Sequence, residues 1–126
     1  MDVIVKALDE VDFYKGPNAI PGIKFRSVGR SLGVTAWGMN VLEIDKGCTG
    51  YPEHDHTKDG QEEVYVILRG SATLRAGEES VEVVAGQVVR VGSEQKWKFV
   101  PGANGVTLLA IGATPGKAFT PAGGPK

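Results

Sequence analysis

A chain of 126 residues, 41% hydrophobic and 23% charged, has the size and composition of one soluble globular domain able to bury a core without staples. Fourteen Lys and Arg against fifteen Asp and Glu leave a net charge of −1, which excludes the basic footprint of a nucleic-acid or anionic-membrane binder. Cys48 is the only cysteine, which rules out an intramolecular disulfide; with neither a signal peptide nor a membrane-length apolar run in view, the expected location is the cytoplasm.

Eighteen glycines and seven prolines divide the chain into short apolar pieces and leave little room for long helices. Residues 3–6 and 24–30 read as short strands near the N-terminus. The stretch 8–14 between them fits a strand or one helical turn equally well. A longer strand is expected over 34–44. Its two faces are Trp37, Met39, Val41 and Glu43 on one side and Gly38, Asn40 and Leu42 on the other, and alternation alone does not say which is inward. A short strand at 52–56 follows. Strands at 63–68 and 72–76 are separated by Arg69-Gly70-Ser71 as the expected turn, and strands at 80–84 and 87–91 flank Ala85-Gly86. The set closes with 96–100 and 106–111, with Pro101 to Gly105 read as a hairpin turn. The tail 114–126, rich in Pro, Gly, Ala and Lys, is expected to fray or drape on the surface of a domain spanning 1–113. Strands at this spacing, with no alternating helical pattern, predict an all-β sandwich, jelly roll or closed barrel.

Chemistry concentrates in one place. The only two histidines occur as Pro52-Glu53-His54-Asp55-His56. Residues i and i+2 of a strand share a face, so both imidazoles can aim at one point. After Thr57-Lys58-Asp59-Gly60 the chain returns through Gln61-Glu62-Glu63, which brings a carboxylate opposite them. Two imidazoles and a carboxylate form a chelate for a divalent first-row metal. Only one of Glu62 and Glu63 can face inward. Glu53 and Asp55 alternate with the histidines and are expected in solvent. Gln61, Tyr65 and Ile67 share the facing of Glu63 and are expected to line the same cavity, with Gln61 as a neutral ligand or a hydrogen-bonding support. Cys48 is a possible soft ligand, though a loop cysteine is more often incidental. No phosphate-binding glycine loop and no serine nucleophile elbow are present.

These residues resemble the cupins. The first motif of that family runs Gly, His-x-His, a short gap, Glu, six residues, Gly; His54, His56, Glu63 and Gly70 fit it, and the distance from Glu63 to Gly70 selects Glu63 over Glu62. Gly86-Gln87-Val88-Val89-Arg90-Val91 is similar to the opening of the second motif, so the resemblance spans about 34–113. It implies a double-stranded β-helix or jelly-roll barrel, a small homodimer, and a bound small molecule. The N-terminal strands and Pro21-Gly22-Ile23 are candidates for the partner contact. Three departures stand out. The gap from His56 to Glu63 is longer than usual, and Gly47 lies one residue further from His54 than the family glycine. The second motif carries Gly92 for its proline, Glu94 for its glycine and Trp97 for its histidine ligand. What the resemblance implies is therefore a two-histidine, one-carboxylate site for Fe, Mn, Ni or Zn, or a pocket without metal, with Trp97 and Phe99 filling or narrowing it. The corresponding activities are a dioxygenase-, isomerase- or decarboxylase-like reaction, or non-catalytic binding.

Overall fold

The computed structural model describes residues 1–120. A single 3₁₀ turn, Leu8–Glu10, precedes strand β1 (Ile23–Arg26) and helix α1 (Val28–Leu32). There follow β2 (Gly38–Ile44), β3 (Glu62–Ala76), β4 (Glu79–Val84), β5 (Val88–Val91) and β6 (Trp97–Ala113). All pairings are antiparallel, in the order β1-β2-β6-β3-β4, with β5 also on β3. The expected all-β class holds. No helix among the described residues is long and apolar enough to cross a membrane.

The spine is the ribbon of β3 and β6, paired from Glu62↔Ala113 to Ala76↔Trp97. Here the expected turns need correcting. Arg69-Gly70-Ser71 does not reverse the chain. Register shifts fall between Ile67 and Arg69 and between Gly70 and Ala72, so two expected strands are one strand with a bulged middle. The stretch Pro101 to Gly105 lies opposite that bulge and is likewise no hairpin. Gly70, at φ +75°, is what lets the strand kink and continue: a β-carbon there would sit 2.1 Å from the carbonyl oxygen of Gly105. The bulge also switches parity, so the buried side chains of β3 are Tyr65 and Ile67 before it and Ala72 after it. By contrast Ala85-Gly86 is a turn as expected, closed by Gln87 N–H donating to the Val84 carbonyl.

The N-terminal third departs most from expectation. Residues 3–6 join no strand in the described structure, with Val3, Ile4 and Val5 exposed. Strand 24–30 is cut at Arg26, and Val28–Leu32 coils into a helix closed by Gly33 in the left-handed region. The undecided stretch 8–14 is a 3₁₀ turn followed by a bridge from Phe13 to Arg26. The strand expected over 34–44 begins only at Gly38.

Two apolar clusters result. The larger fills the barrel with Leu42, Ile44, Tyr51, Tyr65, Ile67, Trp97, Phe99 and Leu108 among its members. The smaller, Val11, Val28 and Val41 with Leu32 and Leu109, lies where the N-terminal chain and α1 pack on the opposite face of β2. Asn40 and Leu42 therefore face the barrel interior, while Val41 faces α1 and Met39 packs on Gly29 of that helix. In the tail, Thr114 Oγ1 donates to the Asp59 carbonyl, and the Phe119 ring lies over Gly38. The expectation for residues 121–126 falls outside the described residues.

Candidate metal centre and its cavity

The register sets out the interior in rows. Gly38, Gly112 and Glu63 are neighbours across β2, β6 and β3; Asn40, Ala110 and Tyr65 form the next row, and Leu42, Leu108 and Ile67 the one below. In the lower row Ile67 and Leu108 are buried in the core, while Leu42 also lines the cavity. The upper rows carry glycine and alanine, and that missing volume opens a cavity of about 330 Å³, at the small end of the range for small-molecule sites.

His54 lines this cavity and His56 lies beside it, on a segment that differs from expectation. Residues 52–56 do not form a full strand. His54 makes a two-hydrogen-bond bridge with Trp97, and His56 N–H donates to the Ser93 carbonyl. The segment thus borders the β5–β6 connection and not β3. Glu63 meets the imidazoles across the barrel mouth and not as a ladder partner. The convergence itself holds: one ligand atom from each of His54, His56 and Glu63 lies within 4.8 Å of the others.

Second contacts fix how these atoms are presented. His54 Nδ1 is 3.0 Å from the Pro52 carbonyl, which can only accept, so the proton is on Nδ1 and Nε2 carries a lone pair. His56 Nδ1 is 3.1 Å from both carboxylate oxygens of Asp59, which orients that ring in the same way. His56 Nε2 and Glu63 Oε1 then stand 2.6 Å apart, yet the approach is not that of an N–H···O hydrogen bond, and the buried Nε2 has no hydrogen-bond partner among the described residues. Two lone-pair atoms held this close require a cation, whether a proton or a metal ion. The residues present fit a divalent metal. Glu62, the rival carboxylate, points outward to Arg90 at 2.8 Å, and Glu53 and Asp55 are exposed as expected. The Asp55 carboxylate accepts from Thr57 N–H, which holds its pKa below the usual range.

Beneath the carboxylate is a chain of hydroxyls. Tyr65 donates to Glu63 Oε2 at 2.5 Å, and the Tyr51 hydroxyl is 3.4 Å from that of Tyr65. Burial raises the pKa of both, that of Tyr51 to about 12 despite its bond to Tyr65, and the nearby Glu63 charge adds to the effect. Both stay protonated and serve as donors. Sequence reasoning singled out Tyr65 through strand alternation but missed Tyr51 and Asp59, which lie in irregular segments where no periodicity applies.

Of the other expected cavity residues, Gln61 and Tyr65 line it, together with His54 and Glu63. Ile67, Trp97 and Phe99 do not: each is 1% exposed and sits in the core below. Trp97 nevertheless touches the site, its ring centroid 4.3 Å from that of His54 and 5.8 Å from that of His56. Cys48 contacts the Pro21 carbonyl and is no member of the His54–His56–Glu63 group. The apolar wall comes largely from a segment with no sequence signal for it: Ile20, Ile23 and Phe25, with Tyr14 and Asn18, line one part of the cavity.

No family model and no curated protein sequence matches the chain. Solved structures do. KdgF from Halomonas sp. matches at 14% identity and TM-score 0.68, over 82% of this chain and 88% of that one. A predicted oxalate decarboxylase from Thermotoga maritima matches at 19% identity and TM-score 0.71, over 88% and 99%. A sugar phosphate isomerase from the cupin superfamily of Silicibacter pomeroyi matches at 18% identity and TM-score 0.71, over 86% and 75%. Cupin-superfamily proteins recur among these neighbours, and the chain has the cupin fold.

Proposed function

We propose that this is a metal-dependent cupin enzyme acting on a small organic molecule, with His54, His56 and Glu63 holding a divalent first-row metal. The observation that carries this reading is the close approach of His56 Nε2 and Glu63 Oε1, 2.6 Å apart outside hydrogen-bond geometry, with Asp59 placed to accept from the other ring nitrogen. Two imidazoles and one carboxylate suit Fe, Mn, Ni or Zn and leave positions open toward the cavity. A metal bound there supplies a Lewis acid, or a redox centre in the case of iron. The chain's own residues do the rest. Asp59 and the Pro52 carbonyl keep both imidazoles in the ligating tautomer, Tyr65 holds the carboxylate in place, and the segment from Tyr14 to Phe25 shields the bound molecule from water. The neighbour named as an isomerase favours isomerase-like chemistry on such a barrel.

A second reading has one observation behind it. Trp97 stands where the resemblance places a third imidazole, and its bulk lies against both histidines, as in a barrel that binds without turnover and without metal. Elemental analysis of purified protein, with titration of Mn²⁺, Fe²⁺, Ni²⁺ and Zn²⁺ into metal-free protein, separates the two. The enzyme reading expects near-stoichiometric metal in wild type and loss of it in His54→Ala and Glu63→Ala. It also expects affinity about 10–100-fold weaker in Asp59→Ala, the usual cost of losing an outer partner. Folded wild type that takes up none of the four ions overturns it.

A further inference from the structure

We infer that the molecule taken by this cavity is uncharged, with a compact apolar body and a hydrogen-bond-donating head, such as a primary amide, that Gln61 reads. This rests on the reading of the cavity as the ligand end of the proposed site, but not on the metal being bound. Gln61 is 6% exposed, lines the cavity, and its Oε1 has no hydrogen-bond partner among the described residues. A buried amide oxygen left unpaired costs free energy that a ligand donor would recover. The backbone has made room for this side chain. Its own N–H is tied to Asp59 Oδ1, and a β-carbon at Gly112 would lie 2.8 Å from Gln61 Nε2, so glycine there is what lets the amide stand against β6.

The remaining lining sets the charge and shape of the occupant. Asn18 and Asn40 add two more neutral amides, and Ile23, Phe25 and Leu42 give an apolar wall. Among the described lining residues there is no arginine or lysine, and Glu63 is the one acidic side chain. A phosphorylated ligand is recognised through guanidinium, ammonium or a helix N-terminus; here its dianion would face a carboxylate and neutral amides. A cavity of about 330 Å³, at the small end of the range for small-molecule sites, suits a compact ligand.

Three probes of one skeleton test this: benzamide, benzoate and phenyl phosphate, titrated into the full chain with and without metal and followed by NMR shifts of the side-chain amides. In metal-free protein, benzamide is expected to bind tightest and phenyl phosphate not at all, with the Gln61 amide signals moving on benzamide addition. Gln61→Met, which keeps the volume, and Gln61→Glu, which adds a charge, should each weaken benzamide tenfold or more while circular dichroism shows an intact fold. The proposal is overturned by phenyl phosphate binding metal-free protein as tightly as benzamide, by benzamide affinity within twofold of wild type in Gln61→Met, or by no saturable benzamide shift. Metal stoichiometry measured on the same samples keeps the two readings apart. Gln61-dependent benzamide binding by protein that takes up none of the added metals sinks only the metal reading, and stoichiometric metal uptake without Gln61-dependent benzamide binding sinks only this one.

Discussion

At the scale of single residues the site is decided by what stands behind each ligand. His56 can offer Nε2 because Asp59 takes Nδ1, and Glu63 can offer Oε1 because Tyr65 takes Oε2. Trp97 is the residue that most distinguishes this barrel from the pattern it resembles. It is buried, its Nε1 has no hydrogen-bond partner among the described residues, and its ring lies on both imidazoles. Trp97→His would place a third imidazole beside the other two. Metal affinity is expected to rise about tenfold or more, the scale on which changes around such sites act. Metal-free stability should fall by roughly 2–4 kcal/mol for the core volume lost. Calorimetric metal titration beside denaturant unfolding of the metal-free variant would show both signs at once. Unchanged metal affinity would mean that position 97 lies out of ligating reach.

The β3–β6 ribbon makes the cavity possible at the level of elements. The bulge at Gly70 shifts the inward set from Tyr65 and Ile67 to Ala72, so the site end of β3 and the closed end face the same interior. Gly70 cannot be replaced without strain: its φ is +75° and the Gly105 carbonyl occupies the space of a β-carbon. Gly70→Ala is expected to cost at least about 2 kcal/mol from the left-handed backbone and the clash together, read as a lower midpoint in urea. The motif spacing from Glu63 to Gly70 thus has a mechanical meaning. It sets the distance from the candidate ligand Glu63 to the kink.

Across the whole molecule, the N-terminal chain and the barrel form one unit. Arg26 fastens them: its side chain is buried, donates at 2.5 Å to Glu43 and at 2.5 Å to the Val11 carbonyl, and so ties the opening segment to β2. Glu43 keeps some contact with water, so Arg26→Ala is expected to cost about 2 kcal/mol, below the 3–5 kcal/mol typical of a fully buried pair. The loss should be local. Hydrogen exchange is expected to speed up in residues 11–26, and probe binding should weaken because Ile20, Ile23 and Phe25 wall the cavity, while metal uptake at the proposed His54–His56–Glu63 centre is unchanged. Equal loss of metal and probe would show that the segment supports the centre as well as the cavity.

The sequence by itself determined whatever depends on neighbours along the chain. Strand-rich punctuation set the all-β class, the His-x-His alternation put two imidazoles on one side, and the resemblance, through the spacing to Gly70, picked Glu63 over Glu62. Tertiary structure decided the rest, because contacts between distant segments carry no local period. Only packing could show that residues 69–71 and 101–105 are facing bulges and not two turns, since each is stabilised by the other strand. Only the second apolar cluster on β2 turned Asn40 and Leu42 inward. Tyr51, Asp59 and the wall from Tyr14 to Phe25 became part of the site through chain crossings, where no alternation or spacing leads from one residue to the next.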